Sequence, residues 1–383
     1  MKRLFLASVA LATVLSAGAQ DKDFHIFICI GQSNMEGNAR VEEVDREGIS
    51  PDYLMMAAVD YPGMGRTKGE WYPAVPPLCR ENTGLTPADY FGRTLLEYLP
   101  EGHKVGIINV SVAGCKIDAF MKERAEEYGK TGADWLQNIM KIYDGNPYEY
   151  VVKLAKQAQK DGVISGILLH QGESDPDDWT WPDKVKGIYE DFLKDLGLKA
   201  EECPLLAGEV VNSDRGGVCG AMNRIIGSLP EIIPTAHVVS SSGCAENFDR
   251  LHFSAAGYRQ LGRNYAMTMI PLMHVGVQSP VIASMPRFPG MGPVPGGAPA
   301  RVMMPNVTFN VVAPDAHEVF FISEFIEERM PMMKNNSGVW SITLQPKEAG
   351  SFKYSFIVDG ATIADPLNPD SEGTQSTLTV AGN

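Results

Sequence analysis

Basic residues are scarce in this chain relative to acidic ones. Its 383 residues include 33 Lys and Arg against 47 Asp and Glu, which gives a formal net charge of −14 at pH 7. Proteins that bind nucleic acid neutralise phosphates with an excess of Lys and Arg, so this balance argues against a nucleic-acid partner. It favours a neutral or weakly charged substrate.

Long apolar runs and metal-binding spacings are also lacking. After residue 19 no apolar run is long enough to span a bilayer. The chain has six cysteines, at positions 29, 79, 115, 203, 219 and 244, and none has zinc-type spacing with histidine. We interpret Cys29 and Cys115 as small buried apolar residues, and one disulfide pair is possible among Cys203, Cys219 and Cys244. No metal and no organic cofactor is expected.

The first 19 residues, MKRLFLASVALATVLSAGA, differ in composition from the remainder. They combine two basic residues, an apolar stretch and small residues that end in Ala17-Gly18-Ala19. This pattern is typical of a secretory signal peptide, with cleavage expected before Gln20. The sequence therefore predicts an exported protein, periplasmic or extracellular in a bacterium.

The stretch FHIFICIGQSNMEG, residues 24–37, holds the first candidate for chemistry. Its run FHIFICI is short, almost uninterrupted in apolarity and rich in β-branched and aromatic residues, as in a strand buried on both faces of a parallel sheet. The turn after it carries Ser33. Ligands bind at the carboxyl ends of such strands, and a helix N-terminus there offers N–H groups to an anion. Ser33 is therefore a candidate nucleophile, and the plainer alternative is a helix cap.

Strands and helices alternate through residues 22–275. Apolar strands are predicted at 104–110, 163–170 and 203–211, and helices at 84–99, 148–162, 183–196 and 253–270. The alternation predicts an α/β domain with a mostly parallel sheet covered on both faces. Residues 276–301, rich in Pro, Gly and Met, are interpreted as a linker. Residues 302–383 contain short strands separated by turn residues, which predicts a small all-β immunoglobulin-like sandwich.

The segment DRLHF supplies a base for Ser33. Asp249 and His252 stand three residues apart, a spacing at which a turn can aim the carboxylate at Nδ1 of the imidazole. Nε2 is then free to take the Ser33 proton. Glu173, in HQGESD after the strand at 163–170, is an alternative acid that can orient His252 in place of Asp249 or together with it. Both Ser33 and His252 are expected on exposed loops.

A serine nucleophile also needs hydrogen-bond donors for the oxyanion it creates. The candidates are the backbone N–H groups of Ser33 and Gly114 and the side-chain amide of Gln171. Gly114 lies in SVAGCKIDAF after the strand at 104–110. The alternative interpretation of that segment is an ordinary turn between a strand and a helix.

Five ordered motifs carry a family resemblance: GQSNMEG, GLTPADYFGRTL, SVAGCKI, HQGESD and DRLHFSAAGY. Together they resemble the sialate O-acetylesterase-like group of SGNH hydrolases over residues 22–272, most closely carbohydrate esterase family 6, the acetylxylan esterases. The resemblance implies a three-layer αβα, flavodoxin-like fold and deacetylation through an acyl-enzyme. It also implies that Ser33 is the nucleophile, His252 the base and Asp249 the acid, with Gly114 and Gln171 at the oxyanion.

The segment from about Asn306 to Val380 resembles the E-set sandwich related to carbohydrate-binding module family 48. Its aromatic residues Trp340, Phe352 and Tyr354 can either stack on sugar rings or form the core, and the core is the commoner use of alternating aromatics.

These features predict a secreted serine esterase that removes O-acetyl groups from plant cell-wall polysaccharide, most plausibly acetylated xylan. An O-acetylated sialic acid is the alternative substrate, for which Arg66, Arg80 and Arg215 are the loop residues available to bind a carboxylate. A carbohydrate-binding protein with a vestigial esterase site is the alternative from another class. The expected binding partner is thus an acetylated polysaccharide or oligosaccharide. The sequence assigns no oligomeric state.

Overall fold

The computed structural model describes residues 20–273, 307–326, 329–334, 338–344, 350–366, 368 and 370–380. The predicted signal peptide, residues 1–19, and the predicted linker, residues 276–301, lie outside the described residues. The described chain divides into two compact units, one formed by residues 20–225 and 230–273 and the other mainly by the residues after 306.

A seven-stranded sheet forms the centre of the first unit. Its strands are β1 (Asp21–Gly31), β2 (Tyr53–Met56), β3 (Trp71–Pro73), β4 (Lys104–Ser111), β5 (Gly162–His170), β6 (Leu205–Gly208) and β7 (Ala236–Val239). They lie in the order β3-β2-β4-β1-β5-β6-β7, and all neighbours run parallel except β2 and β3. At the end of β1, Gly31 lies opposite Ser111 of β4 and His170 of β5, so three strands deliver their following turns to one place.

Helices cover both faces of this sheet. They are α1 (Ser33–Glu36), α2 (Pro87–Tyr98), α3 (Ala125–Thr131), α4 (Asp134–Ile142), α5 (Pro147–Ala158), α6 (Trp181–Leu196), α7 (Asn223–Ile226), α8 (Leu229–Ile232) and α9 (Ala255–Met269). Phe27 packs edge-on against Phe91 of α2, with ring centroids 4.8 Å apart, in a core that also holds Tyr265 of α9. On the opposite face, Ile30 and residues of α6 line one apolar cavity. The predicted three-layer αβα domain is confirmed.

Some element ends differ from the predicted ones for local reasons. The predicted strand at 203–211 is the shorter β6, because beyond Gly208 the N–H of Val210 donates to the side chain of Asn223 (2.8 Å). The helix predicted at 148–162 ends at Ala158, and β5 begins at Gly162.

The second unit is all-β, as predicted. Its strands are β8 (Val307–Val312), β9 (Val319–Ser323), β10 (Met330–Pro331), β11 (Met333–Lys334), β12 (Val339–Leu344), β13 (Gly350–Val358), β14 (Ala361–Ile363), β15 (Ser371–Glu372) and β16 (Gln375–Val380). All described pairings are antiparallel, in one sheet ordered β10-β9-β13-β16-β15 with β14 on β13 and another ordered β11-β12-β8. Phe309 of one sheet packs on Phe321 of the other at 4.2 Å between centroids.

The aromatic residues of the second unit serve its core. Trp340 and Tyr354 are 7% and 5% exposed. Their polar atoms are used internally, since the Trp340 indole donates to the Ala313 carbonyl (2.9 Å) and the Tyr354 hydroxyl donates to Asp365 (2.7 Å). Phe352 is half-buried against Phe325. Two of the three candidate sugar-stacking residues are therefore packing residues.

All six cysteines lie within the described residues and carry free thiols, so the possible pair among Cys203, Cys219 and Cys244 is not formed. Among the described residues, no helix combines the length and apolarity that crossing a membrane requires.

Candidate active site

Ser33 is the first residue of α1, directly after the turn that ends β1. Gly31 permits this turn, because its φ is +151° and an added Cβ would fall 2.1 Å from the carbonyl oxygen of His170. The Gln32 N–H then donates to that carbonyl (3.1 Å). Ser33 is only 7% exposed, so it is nearly buried and does not lie on an exposed loop as predicted.

A chain of hydrogen bonds runs from Ser33 through His252 to Asp249. His252 Nε2 lies 2.9 Å from Ser33 Oγ, and His252 Nδ1 lies 2.7 Å from Asp249 Oδ2. Asp249 Oδ1 accepts the backbone N–H groups of Leu251 and His252, each at 3.0 Å. The three-residue spacing thus closes a small turn in which the carboxylate is held by the chain that carries the imidazole.

The ionisation of Asp249 suits this arrangement. Its partial burial would raise the pKa, but the hydrogen bonds from the His252 ring and from the two N–H groups outweigh burial and hold the pKa of Asp249 below its ordinary value. The carboxylate therefore stays charged at neutral pH, where it orients the imidazole and stabilises its protonated form.

Glu173 has other partners. Its fully buried carboxylate accepts from Asn34 Nδ2, and its Oε1 lies 3.6 Å from His170 Nε2. Burial would raise the pKa of Glu173, but the nearby His170 ring and the hydrogen bond from Asn34 outweigh burial and lower the pKa. The structure thus brings Asp249 to the base and leaves Glu173 behind the site.

Asn34, which follows Ser33, connects that buried carboxylate to the base. Its Nδ2 also donates to the carbonyl of Leu251 (3.1 Å), and its Oδ1 accepts the Phe253 N–H (3.4 Å) and the Tyr258 hydroxyl (2.6 Å). Asn34 is fully buried. The peptide groups on both sides of His252 are therefore fixed by the residue beside the serine.

The side chain of Gln171 is directed into the protein. Its Nε2 lies within hydrogen-bond distance of Gln32 Oε1 (3.1 Å), the Cys115 carbonyl (3.2 Å) and Asp175 Oδ2 (2.6 Å), and its Oε1 accepts from the indole of Trp181. An amide has two hydrogens, and three internal acceptors already compete for them. This differs from the predicted role of Gln171 as an oxyanion donor: the amide organises buried polar groups instead.

The turn that carries Gly114 lies beside the end of β1. Val112 donates its N–H to the Gly31 carbonyl (3.0 Å), and the Ala113 N–H donates to Glu36 Oε1 (3.0 Å) of α1. Gly114 is exposed and has a φ of +67°. Neither its N–H nor that of Ser33 has an acceptor within the described residues. Within the described residues these two backbone N–H groups are therefore not used by the protein itself.

The family model for carbohydrate esterases described as sialic acid-specific acetylesterases matches residues 23–271. The chain belongs to this family. The protein is therefore a carbohydrate esterase. Membership of this family supports hydrolysis of O-acetyl groups on carbohydrates.

Among solved structures, the esterase is similar to three that share little sequence with it. An Arabidopsis thaliana protein is 20% identical, with a TM-score of 0.47, over 64% of this chain and 98% of that one. NanS is 16% identical, with a TM-score of 0.48, over 66% and 98%. A carbohydrate acetylesterase from Xanthomonas citri is 15% identical, with a TM-score of 0.48, over 86% and 74%.

The three arginines considered as a carboxylate clamp are engaged within the esterase. Arg66 is buried and donates to the carbonyls of residues 75 and 77. Arg80 is buried and pairs with Glu36 at 2.6 Å. Arg215 is more exposed and pairs with Glu246 at 2.8 Å. Arg66 and Arg80 already have internal partners that an anionic sugar would have to displace, whereas Arg215 contacts Glu246 through Nε and stays partly exposed.

Three residues of the esterase site were missed by sequence reasoning, namely Asn34, Glu36 and Asp175. Two of them, Asn34 and Glu36, lie within the GQSNMEG motif, where only the serine was assigned a role. The signal was their position: polar groups that follow an apolar strand at the centre of a sheet become buried and must find partners. Nothing local in the sequence indicates which partners they find.

Proposed function

We propose that this protein is an exported serine esterase that removes O-acetyl groups from a neutral plant cell-wall polysaccharide, of which acetylated xylan is the best candidate. The observation that supports this proposal most is the continuous contact from Ser33 Oγ to His252 Nε2 and from His252 Nδ1 to Asp249. A binding protein has no use for a base aligned on a serine hydroxyl, which argues against the vestigial-site alternative.

In the proposed reaction, His252 Nε2 removes the Ser33 proton as Oγ attacks the acetyl carbonyl carbon. The tetrahedral oxyanion accepts hydrogen bonds from the N–H groups of Ser33 and Gly114. The intermediate collapses when His252 protonates the departing sugar oxygen, which leaves acetyl-Ser33 and a free sugar hydroxyl. Water deprotonated by His252 then attacks the acetyl group, and acetate leaves as the proton returns to Ser33. The overall reaction consumes the ester and one water molecule and yields the free sugar hydroxyl and acetate.

A neutral substrate is supported by the charges near the site. Two of the three guanidinium groups considered as a clamp, those of Arg66 and Arg80, are buried and used internally. The chain has an acidic excess, which repels an anionic polymer at long range. Acetylated xylan carries little charge and fits both observations.

An O-acetylated sialic acid is the second candidate, and one observation favours it. Lys116 and Arg250 are exposed and stand close in sequence to Gly114 and Asp249. Two cations beside the site can bind a sugar carboxylate. This candidate shares the whole catalytic mechanism with the first and differs only in the group that is recognised.

The remaining expectations form part of the same proposal. Export follows from the leader-like residues 1–19. The esterase domain spans 22–275 and a linker spans 276–301. The closest affinity is to carbohydrate esterase family 6, and residues 302–383 form an E-set domain related to carbohydrate-binding module family 48. The antiparallel all-β fold of the second unit supports the E-set architecture.

Acetate release tests the proposal. Wild type and Ser33→Ala are compared on acetylated xylo-oligosaccharides, an O-acetylated sialic acid and an aryl acetate. Release from the xylan fragments that disappears in Ser33→Ala supports both mechanism and substrate. Release from the sialic acid alone keeps the mechanism and moves the substrate. Absence of Ser33-dependent release from all three esters contradicts the proposal.

A further inference from the structure

Trp135 is an exposed aromatic residue next to Gly114, the proposed oxyanion donor. It is the second residue of α4 and remains 53% exposed, whereas its helix neighbours Leu136 and Met140 are buried. A Cβ added to Gly114 would fall 2.6 Å from Trp135 Cη2 and 3.1 Å from Cζ3. The six-membered edge of the indole therefore rests on the backbone of Gly114.

The position of the Trp135 indole depends on residue 114 being glycine. Gly114 has a φ of +67°, and a larger residue there would be strained and would also displace the indole. The turn is fixed from below by the bonds of Val112 to Gly31 and of Ala113 to Glu36. The indole consequently has a defined position relative to the N–H of Gly114.

The depth of Ser33 determines what lies next to Trp135 when an ester is bound. Ser33 is only 7% exposed, so in the proposed reaction the small acetyl group occupies the space at Ser33 Oγ, here called the recess, and the larger sugar that carries it lies outside. Gly114, the proposed oxyanion donor, is exposed, and the Trp135 indole contacts it. With Gly114 at the oxyanion, the sugar ring comes near the exposed part of the Trp135 indole.

We propose that Trp135 is the sugar platform of the esterase: its exposed indole face stacks on the pyranose ring whose acetyl group enters the recess. Pyranose rings present faces of C–H groups, and a flat aromatic ring provides apolar contact at low cost in conformational entropy. The indole N–H has no acceptor within the described residues and is available to a sugar hydroxyl. This inference rests on the proposed function, because the acetyl group at Ser33 locates the sugar.

The test compares two esters that share the acetyl group and differ in the alcohol. For acetylated xylo-oligosaccharides, Trp135→Ala is expected to lower kcat/KM roughly tenfold, mainly through KM, and Trp135→Phe is expected to retain most of the wild-type value. For ethyl acetate, which has no ring to stack, kcat/KM of both variants is expected to stay within about twofold of wild type. Ile142→Ala is the matched control.

Ile142 suits that purpose because it is the other exposed large apolar residue of α4, at 42%, and lies two turns away, about 10 Å along the axis. Its truncation is expected to leave both esters unaffected. Equal losses on both esters in Trp135→Ala would overturn the proposal and make Trp135 a wall of the acetyl recess. An unchanged kcat/KM for the oligosaccharide would overturn it as well.

A binding measurement separates this inference from the proposed reaction. In Ser33→Ala, the affinity for deacetylated xylo-oligosaccharide is measured by calorimetry with and without Trp135→Ala. A roughly tenfold loss on adding Trp135→Ala supports the platform even if the wild type releases no acetate, in which case only the reaction is contradicted. Absent binding, or binding indifferent to Trp135, rejects the platform whatever the turnover.

Discussion

Gln32 and Asn34 flank Ser33, and their side chains organise opposite halves of the site. Asn34 binds the peptide groups before and after His252, so it holds the base. Gln32 Oε1 accepts from the Gln171 amide and from the Ser174 N–H, so it holds the turn that follows β5. We call Asn34, His252 and Asp249 the base side of the site. Gln32 and the turn of Gln171 to Asp175 are the turn side.

The pKa of the aspartate on each side is shifted in the opposite direction. On the base side, Asp249 is partly exposed and bonded to a group that becomes cationic, and its pKa is lowered. On the turn side, Asp175 is 2% exposed, and burial raises its pKa although the Ile117 N–H and the Gln171 amide oppose the shift. In the proposed reaction the base side therefore carries a charge next to His252, whereas the turn side holds its buried polar groups in place.

The strongest test of the base side is the identity of its carboxylate. Asp249→Asn is expected to lower kcat by about 10³ to 10⁴, because the imidazole loses the acceptor that sets its tautomer. Glu173→Gln keeps an oxygen for Asn34 and is expected to cost less than about tenfold. Steady-state rates on one ester decide between them. A severe loss in Glu173→Gln with a mild one in Asp249→Asn would reverse the assignment.

Removing Asn34 tests whether the base is positioned from the serine side. Asn34→Ala is expected to lower kcat by roughly 10- to 100-fold with little change in KM, since His252 loses alignment while the sugar contacts remain. Tyr258→Phe removes only one donor to Asn34 and is the matched control, with a smaller loss of kcat expected. If Asn34→Ala changed KM alone, the positioning role would be rejected.

On the turn side, Gln171→Leu is expected to affect stability more than catalysis. It leaves the Trp181 indole and Asp175 without their shared partner, at a cost of about 2 to 3 kcal/mol in the free energy of unfolding. Chemical denaturation measures this loss, and kcat is expected to fall less than about tenfold. Unchanged stability with a hundredfold lower kcat would instead make Gln171 an oxyanion donor, as first predicted from the sequence.

The smallest expected effect is a pair of opposite pH dependences. Because the folded-state pKa of Asp249 is lowered, its contribution to stability is present above its ordinary pKa and is lost as pH falls through the folded-state value. Asp175 has a raised pKa, so the wild type loses stability relative to Asp175→Asn as pH rises from the ordinary value through the folded one.

Denaturation of wild type, Asp249→Asn and Asp175→Asn between about pH 3 and 7 measures these differences, which are on the order of 1 kcal/mol or less. If both variants shifted in the same direction with pH, the electrostatic contrast between the two sides would be wrong.

Much of the fold followed from local pattern. The apolar run before Gly31 predicted the central strand, and the predicted helix at 84–99 became α2, whose N-cap is Thr86 and whose first residue is Pro87. Strands and helix starts depend on periodicity and capping within a few residues. The pairing of Asp249 with His252 could be predicted for the same reason, since a three-residue turn is enough to form it.

The remaining features of the site depend on residues far apart in the chain. Gln171 was assigned to the oxyanion from its place after a strand, but its direction is decided by Gln32, Cys115, Asp175 and Trp181, which only the folded sheet brings to it. Trp135 carried no signal, since its proximity to Gly114 arises from how α4 lies against a turn.

By itself, the sequence determined the strand–helix order, the serine at the end of the central strand and the Asp–His turn, because each depends on neighbours within a few residues. Only the tertiary structure decided which buried polar groups share hydrogen bonds, how far Ser33 is buried and which aromatic ring contacts Gly114. These depend on the parallel strands meeting at one edge, where hydrogen bonds must be satisfied between segments more than a hundred residues apart.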